Sequence, residues 1–289
     1  MKKIKTILPA TSRSHWVGDG FNVRPVFAHL AFQQEISPFL MFDYAAPREF
    51  QATKEKRGVG PHPHRGFETV TIALQGEVEH GDSVGNRGVI GPGDVQWMTA
   101  ASGIIHEEFL SQSFLKRGGT LEMVQLWVNL PAKDKMVAPK YQAILSTDIP
   151  IVALPGNGGT VRLIAGSFAD VHGVASTFSP INLWDITLNA GKTVELSVTE
   201  GYTTMLFVRK GSVVLEGGVL GPADLALLER EGTSIKLLVQ DDTNLLLIGG
   251  APINEPIVAS GPFVMNTEQE IRLAMMDYQS GRMGNMANE

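Results

Sequence analysis

The chain has no cysteine in 289 residues. That excludes disulfides, thiolate nucleophiles, iron–sulfur clusters and cysteine zinc sites, so any metal must be held by nitrogen and oxygen. An excess of positive charge is also missing: 24 Lys and Arg against 30 Asp and Glu leave a formal net charge of −6. Sequence-independent nucleic-acid binding rests on many cations neutralising phosphates, and the short KEKR cluster at 54–57 does not supply them. No apolar run approaches the roughly 20 residues of a membrane helix. The run ahead of Pro9 is far too short for a secretory signal. These absences predict a soluble, cytoplasmic protein with no membrane contact and no direct nucleic-acid partner.

What is present is β-structure. A hydrophobic content of 43% and 31 glycines are enough for two cores. From about residue 21 to 130, short β-rich runs alternate with turn residues such as Gly76, Gly85-Asn86 and Gly91-Pro92-Gly93-Asp94, with no sustained helical period. The polar stretch NLPAKDKMVAPKY at 129–141, with two prolines, predicts a connector. Domains are therefore expected at 1–132 and 133–289. In the second, VRKGSVVLEGGVLGPADLALL echoes ALQGEVEHGDSVGNRGVIGPGDVQWM of the first, which predicts a duplicated barrel. One helix is expected at about 267–280, assigned to the second domain, with a Thr267/Glu270 capping box and Ile271, Met275 and Tyr278 at helical spacing. The expected fold class is all-β: two antiparallel β-barrels of jelly-roll type and a short C-terminal helix.

The chemistry concentrates in PHPHRGFETV at 61–70 and in IIHEE at 104–108. In a strand, residues i and i+2 project from one face with Cα atoms roughly 6.5 Å apart, so one ion can touch both. His62 with His64, and His106 with Glu108, make two such pairs in a chain of only seven histidines. Three imidazoles and one carboxylate are predicted to ligate a metal, leaving up to two positions open on a six-coordinate ion. The donor set suits Fe(II) and also Zn, Mn, Ni or Cu. Parity puts Glu107 on the opposite face from His106. Glu68, counted on the same parity as His62 and His64, is a candidate acid–base group beside Glu108, with a rim salt bridge as its alternative. Phe67, Met98, Phe42 and Trp127 are candidates to line an apolar mouth. The second half carries one histidine, His172, in a loop-like segment, so its barrel is expected to be metal-free.

At these residues the chain resembles the pirin family of the cupin superfamily. FDYAAP at 42–47, the block from GVGPHPHRGFETV to GIIHEE, LWVNLP at 126–131 and GPFVMNTEQEIRLAMMDYQSGRMG at 261–284 carry the resemblance. It implies a bicupin with iron bound by His62, His64, His106 and Glu108 in the first barrel. Thr69 falls where other cupins carry a glutamate ligand. Around His106, this chain has Ala101 and Glu107 where similar sequences more often have Gly and Ser; the extra carboxylate is expected to be solvated.

The resemblance implies two function classes. Some pirins are described as quercetin 2,3-dioxygenases, which open the central flavonol ring with O₂ and release carbon monoxide; here Glu108 or Glu68 would take the proton of the flavonol 3-hydroxyl. Others act as transcription cofactors or as regulators of metabolic enzymes, with the metal setting affinity for a protein partner.

Overall fold

The computed structural model describes residues 1–28 and 34–286. The first strands in chain order are β1 (Ile4–Leu8), β2 (His15–Val17), β3 (Phe21–Ala28), β4 (Phe39–Phe50), β5 (Gly58–His64) and β6 (Phe67–Gln75). They are followed by β7 (Val78–Asp82), β8 (Arg87–Ile90), β9 (Val95–Thr99), β10 (Ile104–Leu110), β11 (Gly119–Asn129) and β12 (Lys140–Ile144). The chain divides into two compact units.

The first unit comprises residues 12–28, 39–146 and 253–286. Its two antiparallel sheets have the orders β12-β9-β6-β11-β4-β3-β2 and β5-β10-β7-β8. Phe21, Ala45, Val78, Ile90, Leu110, Phe114 and Leu121 form one apolar cluster, and Met98, Ala100 and Ile104 form another beside Tyr141. Between them, inward positions on β6, β9, β10 and β11 carry Thr71, Gln96, Glu108 and Gln125. Side chains with this much polarity do not close into a dry core, and this barrel keeps a cavity.

The second unit comprises residues 1–11, 34–38 and 147–252. A seven-stranded sheet and a four-stranded sheet enclose one continuous core that includes Leu163, Trp184, Ile186, Leu206, Val208, Leu245 and Leu247. Alternation produces it: strand Thr193–Ser197 exposes Thr193, Glu195 and Ser197 and buries Val194 and Leu196. Aliphatic side chains occupy the space where the first barrel holds polar groups.

The repeat seen in the sequence is geometric. Asp94 Oδ2 accepts from Gly91 N at 2.9 Å, and Asp224 Oδ2 accepts from Gly221 N at 2.9 Å. The other carboxylate oxygens accept from Ser146 N and Ala10 N, at 2.7 and 2.9 Å. Gly93 and Ala223 hold equivalent left-handed positions, with φ of 86° and 66°. Each turn leads into a strand with an added antiparallel edge: β12 on β9 in one unit, β1 on Leu225–Leu228 in the other.

This pairing corrects the expected boundary. A cut at 132/133 separates β12 from the sheet it completes and leaves β1 in the wrong unit, because backbone hydrogen bonds, not chain continuity, define the sheets. The polar 129–141 stretch is no free connector: Lys135 is buried, its Nζ donating to Gly66 O (2.6 Å), Asn129 Oδ1 (2.6 Å) and Val264 O (2.9 Å).

The helix spans Glu268–Gln279 and carries the expected capping box between Thr267 and Glu270. It belongs with the first unit, where Ile271 and Ala274 pack with Phe263, Met265, Met283 and Ile105 of β10. Met275 and Tyr278, expected on the packed face, are exposed.

Candidate metal centre

β5 and β10 run antiparallel, with His106 opposite His62 and Ile104 opposite His64. His62 and His64 therefore share a face of β5, and His106 meets them from β10. Their ring centroids lie 4.2 to 4.9 Å apart, and one ligand atom from each falls within 4.8 Å of the others. The register slips between His106 and Glu108, a bulge of the kind that re-aims side chains beside sites. β10 remains regular against β7, with His106 opposite Asp82 and Glu108 opposite His80.

The cluster is arranged as neutral imidazole. His62 Nδ1 lies 2.8 Å from Gly60 O, so an N–H there points its other nitrogen's lone pair away from that carbonyl. Burial pushes His62 down, drives His64 down to about 3, and holds His106 well below the ordinary range, aided for the last two by neighbouring histidines. Neither ring nitrogen of His106 has a hydrogen-bond partner among the described residues. Buried polar atoms left without partners mark a place where something else binds. Three neutral imidazoles, two of them with buried unpartnered ring nitrogens, fit a nitrogen-binding divalent metal.

Glu108 is not part of the 4.8 Å group. It lines the same cavity, accepts from Thr71 Oγ1 at 3.3 Å, and is raised to about 7 by burial, with that hydrogen bond opposing. Thr71 also lies 2.7 Å from Gln125 Oε1. The cavity, about 440 Å³, is bounded by His62, His64 and Glu108 and by Phe21, Val23, Met41, Val59, Met123 and Trp127. Of the four aromatic and methionine candidates, Trp127 lines it. Phe67 packs behind, against His64 (5.2 Å) and Trp127 (4.3 Å). Met98 sits in its apolar cluster, and Phe42 stacks on Phe27, on the face of β4 opposite to Met41.

Glu68 is a correction to the sequence reading. It pairs with Thr99 across the sheet, accepts from Thr99 Oγ1 at 2.7 Å, and is fully buried away from the cavity. Its parity was counted across the turn at Arg65 and Gly66, where Gly66 takes φ of 89° and the alternation restarts. Thr69 and Thr71, not Glu68, share the cavity side of β6. Glu107 is on the other face from His106, as parity predicts, but it is not solvated: it is buried and faces Arg87 at 3.5 Å. Ala101 adopts φ of 41°, the left-handed region that favours glycine.

Three groups escaped sequence reasoning. His80 is buried opposite Glu108, stacked on Tyr141 at 4.8 Å and pushed down to about 4 by burial. Asp43 and His15 line the cavity. A charged residue within the apolar run FLMFDYAA was the available signal for Asp43; His15 and His80 had none.

Three histidines meeting on adjacent strands of one barrel, together with a second barrel filled mainly with aliphatic side chains, define a two-domain cupin. Residues 20–128 match the family model described as Pirin, and residues 183–284 match the Pirin C-terminal cupin domain. The chain belongs to the pirin family. It is 51% identical over 282 residues, 98% of each chain, to a Pseudomonas aeruginosa protein named "Putative quercetin 2,3-dioxygenase PA2418". It also resembles the crystal structure of quercetin 2,3-dioxygenase from Acinetobacter baumannii, with a TM-score of 0.95 and 51% identity over 99% of both chains. The Escherichia coli pirin YhhW in complex with nickel(II) shares the fold, with a TM-score of 0.66 and 21% identity over 86% of this chain and 99% of that one.

Proposed function

We propose that the protein is a metal-dependent oxidoreductase of the quercetin 2,3-dioxygenase type, with His62, His64, His106 and Glu108 holding Fe(II). The observation that carries this reading is the convergence of three neutral imidazoles, with a fourth, carboxylate donor nearby, at one end of an apolar-walled cavity. The names of the relatives at 51% identity support it. When bound, the metal supplies redox chemistry toward O₂ and a Lewis acid for the oxygens of a phenolic ligand.

The chain's own residues do the rest. Trp127, Met41, Met123, Phe21 and Val23 offer flat apolar surface to an aromatic ligand and exclude water. Glu108, hydrogen-bonded by Thr71, would hold a proton at its free oxygen as a ligand hydroxyl ionises. Glu68 has no part in this.

The test is anaerobic reconstitution with Fe(II), in parallel with Ni(II) and Mn(II), followed by O₂ uptake and carbon monoxide release with quercetin, against a His64→Ala control. Metal-dependent uptake with carbon monoxide release supports the dioxygenase. Stoichiometric iron with no uptake transfers the reading to a metal-dependent regulatory protein.

A further inference from the structure

Besides Glu108, the cavity is lined by a second buried carboxylate. Asp43 shares the cavity face of β4 with Met41, while Phe42 and Tyr44 point to the other face. It is 8% exposed. Among the described residues no donor reaches its carboxylate; its electrostatic neighbour is His15, at the same cavity. Burial pushes its pKa up to about 6, with His15 opposing.

The strands on either side explain why nothing satisfies it. On one side the opposed side chain on the same face is that of Pro25, which carries no donor, and the register of β3 slips between Pro25 and Phe27. On the other, Gln125 lies opposite; its amide oxygen accepts from the Thr71 hydroxyl at 2.7 Å, and among the described residues its amide nitrogen makes no hydrogen bond to Asp43. A desolvated carboxylate without a donor is costly, and such groups persist where a ligand supplies what the fold withholds. An O–H donor fits, because a carboxylate only accepts and its hydrogen bonds are charge-assisted. An anionic ligand group does not.

We infer that Asp43 accepts a hydrogen bond from a ligand hydroxyl other than the one at the histidine cluster, so that the cavity selects flat phenols with at least two hydroxyl groups. The inference rests on the flavonol reading above and makes Asp43 its specificity determinant. His15 stands exposed beside Asp43 at the same cavity.

The experiment is an anaerobic binding titration, followed by flavonol absorbance, of the Ni(II)-loaded protein. The ligands are quercetin and 3-hydroxyflavone, which keeps the oxygens for the metal but has no other hydroxyl. Wild type is expected to bind quercetin about 10- to 100-fold more tightly. Asp43→Ala should erase most of that preference while changing 3-hydroxyflavone affinity by less than about threefold, and Asp43→Asn, whose amide oxygen still accepts, should restore part of it. Metal content and thermal melting of each variant establish that the centre and fold persist. Equal affinities in wild type, a preference that survives Asp43→Ala, or an equal loss for both ligands would overturn the inference while leaving the flavonol reading in place. Binding of neither flavonol by wild type overturns both.

Discussion

Arg65, the residue after His64, donates from Nη2 to Asp277 Oδ2 at 2.9 Å across 212 positions of sequence. The backbone of the same arginine bonds Pro262 O (3.3 Å) and Val264 N (3.0 Å). Lys135 adds its bonds to Gly66 and Val264. The end of β5 that carries His64 is thus clamped by the segment containing the helix. The Pro262 carbonyl also faces the His64 ring, the position of a backbone acceptor that orients a ligating imidazole.

Asp277→Ala leaves the buried Arg65 guanidinium without its carboxylate. Stability should fall by about 2 kcal/mol, below the full cost of breaking a buried pair because Asp277 is partly exposed. Metal affinity should fall about tenfold through looser placement of His64. Chelator competition and thermal melts measure both. Unchanged affinity in a destabilised variant would show that sheet pairing alone positions His64.

His62→Ala and His106→Ala should each abolish stoichiometric metal binding with little change in the circular dichroism spectrum, since neither removes apolar core. Metal retained one-to-one in both variants would refute the three-histidine centre.

Thr71→Val keeps side-chain volume but deletes the hydroxyl between Glu108 and Gln125. A supporting hydrogen bond of this kind commonly contributes about tenfold or more to metal affinity, and a loss of that size is expected by isothermal titration with Ni(II). No loss would mean that Glu108 needs no support from Thr71 to act, or does not ligate.

Glu68 is raised by burial from 4.5 to about 7, against the hydrogen bond from Thr99. Between those values the folded protein holds a proton that the unfolded chain has lost. Its stabilisation is fully present below about pH 4.5 and is lost as pH rises through 7, a change on the order of 3 kcal/mol. Glu68→Gln should remove that dependence. Urea unfolding of metal-free protein should find the variant close to wild type at pH 5 and more stable at pH 8. Parallel stability curves for the two proteins would contradict the assignment.

The shared face of His62 and His64 was legible because parity within a strand is local and needs only the twofold alternation of one extended segment. The capping box at Thr267 and Glu270 was legible for the same reason. Glu68 was not, because its parity was carried through the left-handed Gly66. Asp43 and His80 were not, because an unsatisfied carboxylate or imidazole is defined by what faces it across the barrel.

By itself the sequence determined the class of fold, the repeat of the Gly-Pro-Gly/Ala-Asp turn, the metal-type donor set and the family, all written in short-range pattern. Only the tertiary structure decided that β1 completes one sheet and β12 the other, that the helix braces the strand holding His64, and that Asp43 faces the cavity. These depend on hydrogen-bonding edges and packed faces contributed by residues far apart in the chain, and no local periodicity encodes which edge a strand will join.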